Sequence, residues 1–575
     1  MKQIDTSVLI VGAGPTGLTA GILLSRLGIP YRIIERRPGP QRAPAAHVVN
    51  ARSFEIWRQA GADMDAILGA AKDPRDAGSV YWVTRLGGEL LGRLPFERQG
   101  GEVLAFTPTP LRNLSQHRLE PLLAQALPYG NDATLFYQHQ WEAAEQDDYG
   151  VTTHVRDLGS GEAYAVRSRY LIAADGAGSP VRKSLGIQPI GPDRIQGFIM
   201  IHFEADLRPL VAHCPGVLYW VADPSCAGTF VAHDIDREWV FMQAWDPEHE
   251  SIERYDPARC EAIVRRALVR DDVRLTIRTV SPWMMTSQTA ERYRDRRIFL
   301  AGDSAHRFPP TGGLGLNTGV QDAHNLVWKI AAVEQGWAAA PLLETYEQER
   351  QPIARYNAEQ SLRNAARLFE VPQAMGTNDE PVRAQQRFAA MLADPARRRE
   401  VGAAIDTQAE HFDMLGLQLG YAYAAGALVG DDGPRPTPEN PVREFVPSSH
   451  AGARLPHGWI EADGRRVSTL DLIALDGLTM LVGPTGTAWI EAARDLTVPI
   501  RSLRIGVDVV DSDDWWTSVA QMRPDGALLV RPDQHVAFRC RGAAADAATL
   551  LHRTVRSVLQ MPTAPPSETF TAAAE

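Results

Sequence analysis

Glycines 12, 14 and 17 stand in the run Val11-Gly-Ala-Gly-Pro-Thr-Gly17. That G-x-G-x-x-G spacing lets a chain bring bare backbone against a pyrophosphate. Gly12 permits the tight turn, Gly14 removes a side chain from the phosphate's path, and Gly17 lets a helix pack closely on the preceding strand. Glu35 follows Gly17 by eighteen residues, where an acid accepts from a ribose hydroxyl. Two further acids sit at the ends of apolar runs. Asp175 lies in Tyr170-Leu-Ile-Ala-Ala-Asp-Gly-Ala-Gly-Ser-Pro-Val-Arg182. Asp303 lies in Arg297-Ile-Phe-Leu-Ala-Gly-Asp-Ser-Ala-His306, and the Pro-Gly-rich loop Phe308-Pro-Pro-Thr-Gly-Gly-Leu-Gly-Leu-Asn-Thr-Gly319 follows.

The elements that must position these groups are legible. Ser7–Val11 reads as a buried strand, Leu18–Leu27 as a helix, and Tyr31–Ile34 as a second strand ending at Glu35. Ile298–Ala301 reads as a strand, and a helix is expected from near Gly315 through Gln321, Asp322, Asn325 and Lys329. The N-terminal uncharged run from Thr6 to Ser25 is broken by glycine and proline, so neither a signal peptide nor a membrane span is expected there.

The 575 residues leave room for three or four domain-sized units at roughly 150 residues each. A net charge of −11 argues against a nucleic-acid partner. Cys214, Cys226, Cys260 and Cys540 form no C-x-x-C pair, so a cytoplasmic, reducing setting is expected. His249-Glu250 lacks the spacing of a zinc site, and no G-x-S-x-G elbow anchors a hydrolase.

The three motifs, in this order over residues 5–360, resemble the single-component flavin-dependent aromatic hydroxylases of the para-hydroxybenzoate hydroxylase type. The resemblance implies FAD, NADPH or NADH as reductant, and O2 as co-substrate. The implied cofactor-binding residues are Gly12, Gly14, Pro15, Thr16, Gly17, Glu35, Arg36, Arg42, Gln116, Asp175, Gly176, Gly302, Asp303, Pro310, Gly313, Gly315, Leu316 and Asn317. A helix opening at 315–318 would aim backbone N–H groups at the negative charge of reduced flavin.

Leu114-Ser-Gln-His-Arg-Leu-Glu-Pro-Leu-Leu123 resembles the segment that supplies Gln116, with Arg118 and Glu120 read as a solvated helix face. His306 is read as a backbone-bonding residue near the pyrophosphate. Tyr346-Glu-Gln-Glu-Arg-Gln-Pro352 resembles the family's closing helix and is assigned structure rather than chemistry.

Ala46-His-Val-Val-Asn-Ala-Arg-Ser-Phe-Glu-Ile-Trp57 resembles the phenol, chlorophenol and hydroxybiphenyl hydroxylases. A histidine there implies a catalytic base. Phenols titrate at about 10 and imidazoles at about 6.5, so a positioned ring can take the proton as the transition state forms. A structural histidine bonded to a carbonyl is the other role open to His47. Segments between Gly191 and Met285 read as short alternating strands; the resemblance implies that they form an antiparallel sheet, joined by residues 79–110, with Trp220, Phe230, Phe241 and Trp245 as candidate walls.

The expected fold is α/β. A discontinuous Rossmann-like FAD-binding domain (1–78, 111–190, 286–365) is interrupted by a substrate sheet (79–110, 191–285). A helical region and linker (366–440), a thioredoxin-like domain (441–562) and a frayed tail (563–575) follow. Gly483-Pro-Thr-Gly486 replaces the active C-x-x-C, which leaves that domain packing or homodimer support. The expected reaction is hydroxylation of a small phenolic or related aromatic ring, ortho to its hydroxyl, through a flavin C4a-hydroperoxide. A polycyclic polyketide or antibiotic is the alternative substrate. No metal and no membrane contact are expected.

Overall fold

The computed structural model describes residues 3–128, 134–431 and 433–562, so the tail from Thr563 lies outside the described residues. The chain divides into two compact units. One comprises Met1–His324, Arg350–Tyr421 and Thr437–Val446, the other Asn325–Glu349, Ala422–Pro436 and Pro447–Glu575.

The first unit is built on a sheet whose parallel core runs Ile298–Leu300, Ala163–Ala173, Gln3–Val11, Tyr31–Glu35, Leu135–Tyr137. Its strands are apolar because both faces are covered. Val8, Leu9, Ile10, Ile33, Leu171 and Ile298 are essentially without exposure. The helix Pro15–Arg26 starts with proline at its first turn, where a missing N–H costs nothing. It packs so closely that a Cβ on Gly21 would lie 2.7 Å from Ile33.

Register decides what meets at the sheet's carboxyl edge. Val11 is level with Ala173 and Ile34, and Ala173 is level with Leu300. Three motifs far apart in sequence therefore leave the sheet side by side.

The second layer of this unit is a seven-stranded, mostly antiparallel sheet. Its order is Thr276–Met285, Gln196–Glu204, Glu238–Trp245, Gly228–Asp234, Leu218–Val221, Ser79–Val83, Leu90–Pro95. The two-residue period sends Ile199, Ile201, Phe203, Phe230, Trp239 and Phe241 into one core against the helix Pro257–Arg266. Phe230 and Phe241 are thus packed core, and Trp245 packs against the same cluster. Trp220 points the other way, stacked on Trp82 at 4.7 Å and beside Phe412 at 5.5 Å.

The helices Glu370–Met375, Pro381–Ala393 and Pro395–Asp406 cover that second face. Met375, Phe388, Met391 and Ile405 share a cluster with Val48, Trp82 and Leu94. Most of the stretch expected as a helical region with linker belongs to this unit.

In the second unit, strands Ile500–Arg504, Leu478–Val482, Ala527–Val530 and Val536–Cys540 form one sheet in that order, the first pair parallel and the others antiparallel. With Thr487–Arg494 between the first two strands and Ala547–Val558 after the last, this is the thioredoxin-like arrangement. The stretch Asn325–Glu349 adds Trp328, Trp337 and Leu342 to its core.

That unit also buries four charged side chains together. Glu349 takes Arg531 at 2.7 Å on each oxygen and Lys329 at 2.7 Å, while Asp533 holds the far side of Arg531.

Candidate active site

The glycine turn has the geometry its sequence implied. Gly12 adopts φ +105°, and a Cβ there would lie 2.2 Å from the Ala174 carbonyl oxygen. A Cβ on Gly17 would lie 2.0 Å from the Gly12 oxygen. Gly14 differs: among the described residues, chain neighbours apart, nothing stands within 4 Å of its Cβ position. The first two glycines serve backbone packing, and Gly14 opens onto free space.

Glu35 is buried and accepts from Ala13 N at 2.9 Å and Arg37 N at 2.8 Å. Burial alone would raise its pKa, but these donors and the Arg37 charge hold it below the usual carboxylate value. Arg37, rather than Arg36, grips the acid; Arg36 and Arg42 are exposed. Glu120 is fully buried, a departure from the solvated face expected of it. It accepts from Gln41 N at 2.7 Å and from Gln116 Nε2 at 2.8 Å, so it fixes the loop after Glu35 and aims Gln116.

At the second motif, Asp175 Oδ2 accepts from Val181 N at 3.1 Å, while buried Oδ1 has no partner among the described residues. Burial raises this carboxyl's pKa. Gly176 has φ +84° with open space beyond it. Arg182 donates to Ser304 O at 2.8 Å and ties the second motif to the third.

At the third motif, Gly302 has φ +64°, and Cβ atoms on Gly302 and Gly319 would lie 2.6 and 2.2 Å from Thr16 Oγ1. Thr16 is thereby wedged between the third motif and its helix. Asp303 reaches solvent, yet burial still raises its pKa against the pull of His306 and Arg307.

His306 is not bonded to backbone through Nε2, as the sequence suggested. That nitrogen meets Asp322 Oδ2 at 2.7 Å, and Asp322 also takes Gly302 N and Arg350 Nε. This buried network holds the Asp303 turn. Its Arg350 comes from the closing helix Thr345–Leu368. His324 is core, 2.7 Å from Gln59 Oε1.

The helix Leu314–Glu334 opens at the loop's end. Its Asn317 side chain is saturated. It donates to Val48 O and Gly313 O and accepts from Asn50 N and Ser53 Oγ, all within 2.9 Å. Only the backbone of Asn317 is left for a cofactor. A Cβ on Gly313 would touch Val48, whereas Gly315 opens onto free space.

His47 stands next to that contact. Its backbone carbonyl accepts from Leu114 N, and its Nδ1 lies 3.0 Å from Asn113 Oδ1. An acceptor at Nδ1 places the hydrogen there and leaves Nε2 with its lone pair. Burial and the charge of Lys72 push its pKa down to about 4, against the Asn113 bond. The companions of this ring are not among the residues expected from the sequence. His233 lies edge-on at 5.6 Å with Ser115 Oγ 2.5 Å from its Nδ1, and Lys72 donates to Ala232 O. Strand alternation was the available signal, since His202, His233 and Glu238 share the face opposite Phe203, Phe230 and Trp239.

FAD fits these residues on structural grounds. Room exists at Gly14, Gly176 and Gly315, and the buried Oδ1 of Asp175 lacks a partner.

No helix among the described residues is long and apolar enough to cross a membrane. Residues 5–361 match the FAD binding domain family, and residues 448–562 match the aromatic-ring hydroxylase C-terminal family. The chain is 35% identical to 2,4-dichlorophenol 6-monooxygenase of Cupriavidus pinatubonensis, covering 97% of this chain and 96% of that protein. It is 33% identical to tetracenomycin A2 monooxygenase-dioxygenase of Streptomyces glaucescens, over 99% of both. The crystal structure of the flavin-dependent monooxygenase PieE with FAD and substrate superposes with a TM-score of 0.91 at 36% identity, covering 98% of this chain and 100% of that one. Paired with the glycine cradle, the two acid turns and the tail fold, these likenesses make the chain a member of the FAD-dependent aromatic-ring hydroxylases, a flavin-dependent monooxygenase.

Proposed function

We propose that the protein hydroxylates a phenol or a closely related aromatic ring, ortho to its hydroxyl, with His47 as the base. The observation that carries this reading is the His47 tautomer. Asn113 Oδ1 takes the Nδ1 hydrogen and leaves Nε2 with its lone pair. Backbone N–H groups at 12–17 and the start of helix Pro15–Arg26 would hold the pyrophosphate of FAD, with Gln116, Arg36 and Arg42 as further contacts. Glu35 would take the ribose and Asp303 the ribityl chain, while the 312–317 backbone would line the ring. Bound FAD would supply an electrophilic oxygen, with NADPH or NADH as reductant and O2 as co-substrate. His47 makes the ring electron-rich by removing its hydroxyl proton, and the apolar cover from Val48, Trp82 and Phe412 excludes water. Four free thiols, three of them buried, support a cytoplasmic setting.

A fused-ring polyketide is the second reading. The near full-length likeness to the tetracenomycin enzyme and PieE favours it. NAD(P)H oxidation, O2 uptake and product are to be measured with phenol, 2,4-dichlorophenol and a fused four-ring phenol. Matched stoichiometry with a single-ring phenol supports the first reading. Turnover of the fused-ring phenol alone discards it.

His47→Ala is expected to keep FAD and to lower the hydroxylation rate by about 100-fold. The parent rate should stay flat above pH of about 4, since Nε2 is then free. The variant's rate should instead climb with pH toward the phenol's own pKa of about 10. An unaltered rate and pH profile removes His47 as base.

A further inference from the structure

We propose that His233, His117 and Glu238 form a relay that carries the substrate's proton from His47 to solvent. The inference rests on the reading of His47 as the base. His47 is a poor resting place for a proton, because burial and Lys72 both disfavour its charged form. Something must take the proton onward, and the groups are in place. The rings of His47 and His233 meet edge-on at 5.6 Å, and those of His233 and His117 at 6.3 Å. Both pairs are T-shaped, with 84° and 69° between the ring planes. Beyond them, His117 Nε2 lies 3.1 Å from Glu238 Oε2. A carboxylate there places hydrogen on Nε2, so Nδ1 of His117 is the basic nitrogen. That Nδ1 is buried and has no hydrogen-bond partner among the described residues. Ser115 Oγ, fixed at the start of helix Gln116–Gln125, holds His233 by Nδ1.

The electrostatic surroundings favour transit over storage. Lys72 lies against the His47–His233 pair, and His233 is driven well below its ordinary pKa by burial, His47 and Lys72. The negative end is Glu238, with His202 Nε2 at 3.2 Å and Arg118 at 3.7 Å; Asp234 faces Arg118 at 3.2 Å. Burial would raise Glu238, and His117 and His202 more than offset that, so it stays ionised. Asp76 acts on Lys72 from the helix Pro74–Ala77. Potential therefore falls from Lys72 toward Glu238, the direction a proton must travel. Glu238 and Arg118 are partly exposed, at 15% and 38%.

The balance is one proton and no electrons. The substrate O–H bond breaks and His47 Nε2 gains the hydrogen. His233 accepts it and His47 returns to neutral. His233 protonates Nδ1 of His117, which releases its Nε2 hydrogen to Glu238, and Glu238 yields it to water. The net change is a phenol becoming a phenolate with one proton in solution.

The test uses FAD-loaded protein without NAD(P)H. It is mixed rapidly with 4-nitrophenol in weak buffer containing a pH indicator. Phenolate absorbance reports ionisation of the probe, and the indicator reports proton release. The parent should ionise the bound probe and release one proton per site. His233→Phe and His117→Gln should each slow release by about tenfold or more. Release should then depend on buffer concentration, and added imidazole should restore His233→Ala, which a merely structural role does not produce. FAD fluorescence quenching identifies any variant that fails to fold, and His117, 13% exposed at the edge of the site, provides a variant outside the apolar core. Parent-rate release in weak buffer from both His233→Phe and His117→Gln overturns the relay alone, provided His47→Ala is slow. Parent-rate release from His47→Ala, or a parent that binds the probe without ionising it, overturns the base reading and the relay with it.

Discussion

Gly14→Val should fold like the parent protein and lose FAD affinity by about a thousandfold, some 4 kcal/mol. The argument is steric. Gly14 has φ −78° and ψ −179°, an extended conformation that valine adopts readily and that a residue before proline prefers. Apart from its chain neighbours, nothing among the described residues stands within 4 Å of the added Cβ. No side-chain cap is lost, because Gly14 provides none. The new side chain therefore projects into the space at the start of helix Pro15–Arg26. Gly17→Val is the contrasting case. Its Cβ would meet the Gly12 oxygen at 2.0 Å, so helix and turn must separate and the fold itself should weaken. Fluorescence titration with FAD and thermal unfolding of both variants separate the two effects. Parent-like FAD affinity in Gly14→Val would place the pyrophosphate elsewhere.

The second large effect concerns stability. Glu349→Ala is expected to cost about 3–5 kcal/mol, since it strands two buried cations. Among the described residues Glu349 receives five donations: two from Arg531, one each from Lys329, Asn325 Nδ2 and Ala427 N. None of Lys329, Glu349 and Arg531 has an exposed side chain. Lys329 is the weaker partner, because burial lowers its pKa more than Glu349 raises it. Arg531 therefore carries most of the pairing. Burial alone would raise the Glu349 carboxyl, and the Arg531 and Lys329 charges hold it well below the ordinary 4.5. A depressed carboxylate stabilises above its unfolded pKa, so this contribution is complete above pH of about 4.5 and fades as pH falls below it. Denaturant unfolding of parent and variant at pH 7 and pH 3 checks both points. The gap should narrow at the lower pH. A loss below about 1 kcal/mol at pH 7 would show that the cluster relaxes onto water or other donors.

The unequal legibility of the two sites has a physical basis. Glycine spacing, an acid eighteen residues on, and apolar runs ending at Asp175 and Asp303 are local patterns. Each follows from what one turn of backbone needs, so the cofactor cradle could be read without coordinates. Glu120 could not. Its burial depends on Gln41 and Arg37 reaching it from another segment. His306 was misread for the same reason, because its partner Asp322 is decided by how a helix docks rather than by any neighbour in sequence. Asn317 shows both sides. Its place in the loop motif was legible, while the four bonds that consume its side chain come from packing against Val48, Asn50 and Ser53.

The sequence alone determined the order of the motifs, the phosphate-type glycine turn and the lack of a C-x-x-C pair in the tail, because those depend on residue type and short spacing; FAD was implied by the family resemblance those motifs carry. Tertiary structure decided which strand ends lie level, which way Phe230 and His233 point, and which histidine nitrogen keeps its lone pair. A one-residue slip of register would exchange the two faces of the substrate sheet. Hydrogen bonds between distant segments then assign each charge its partner, and no local pattern carries that information.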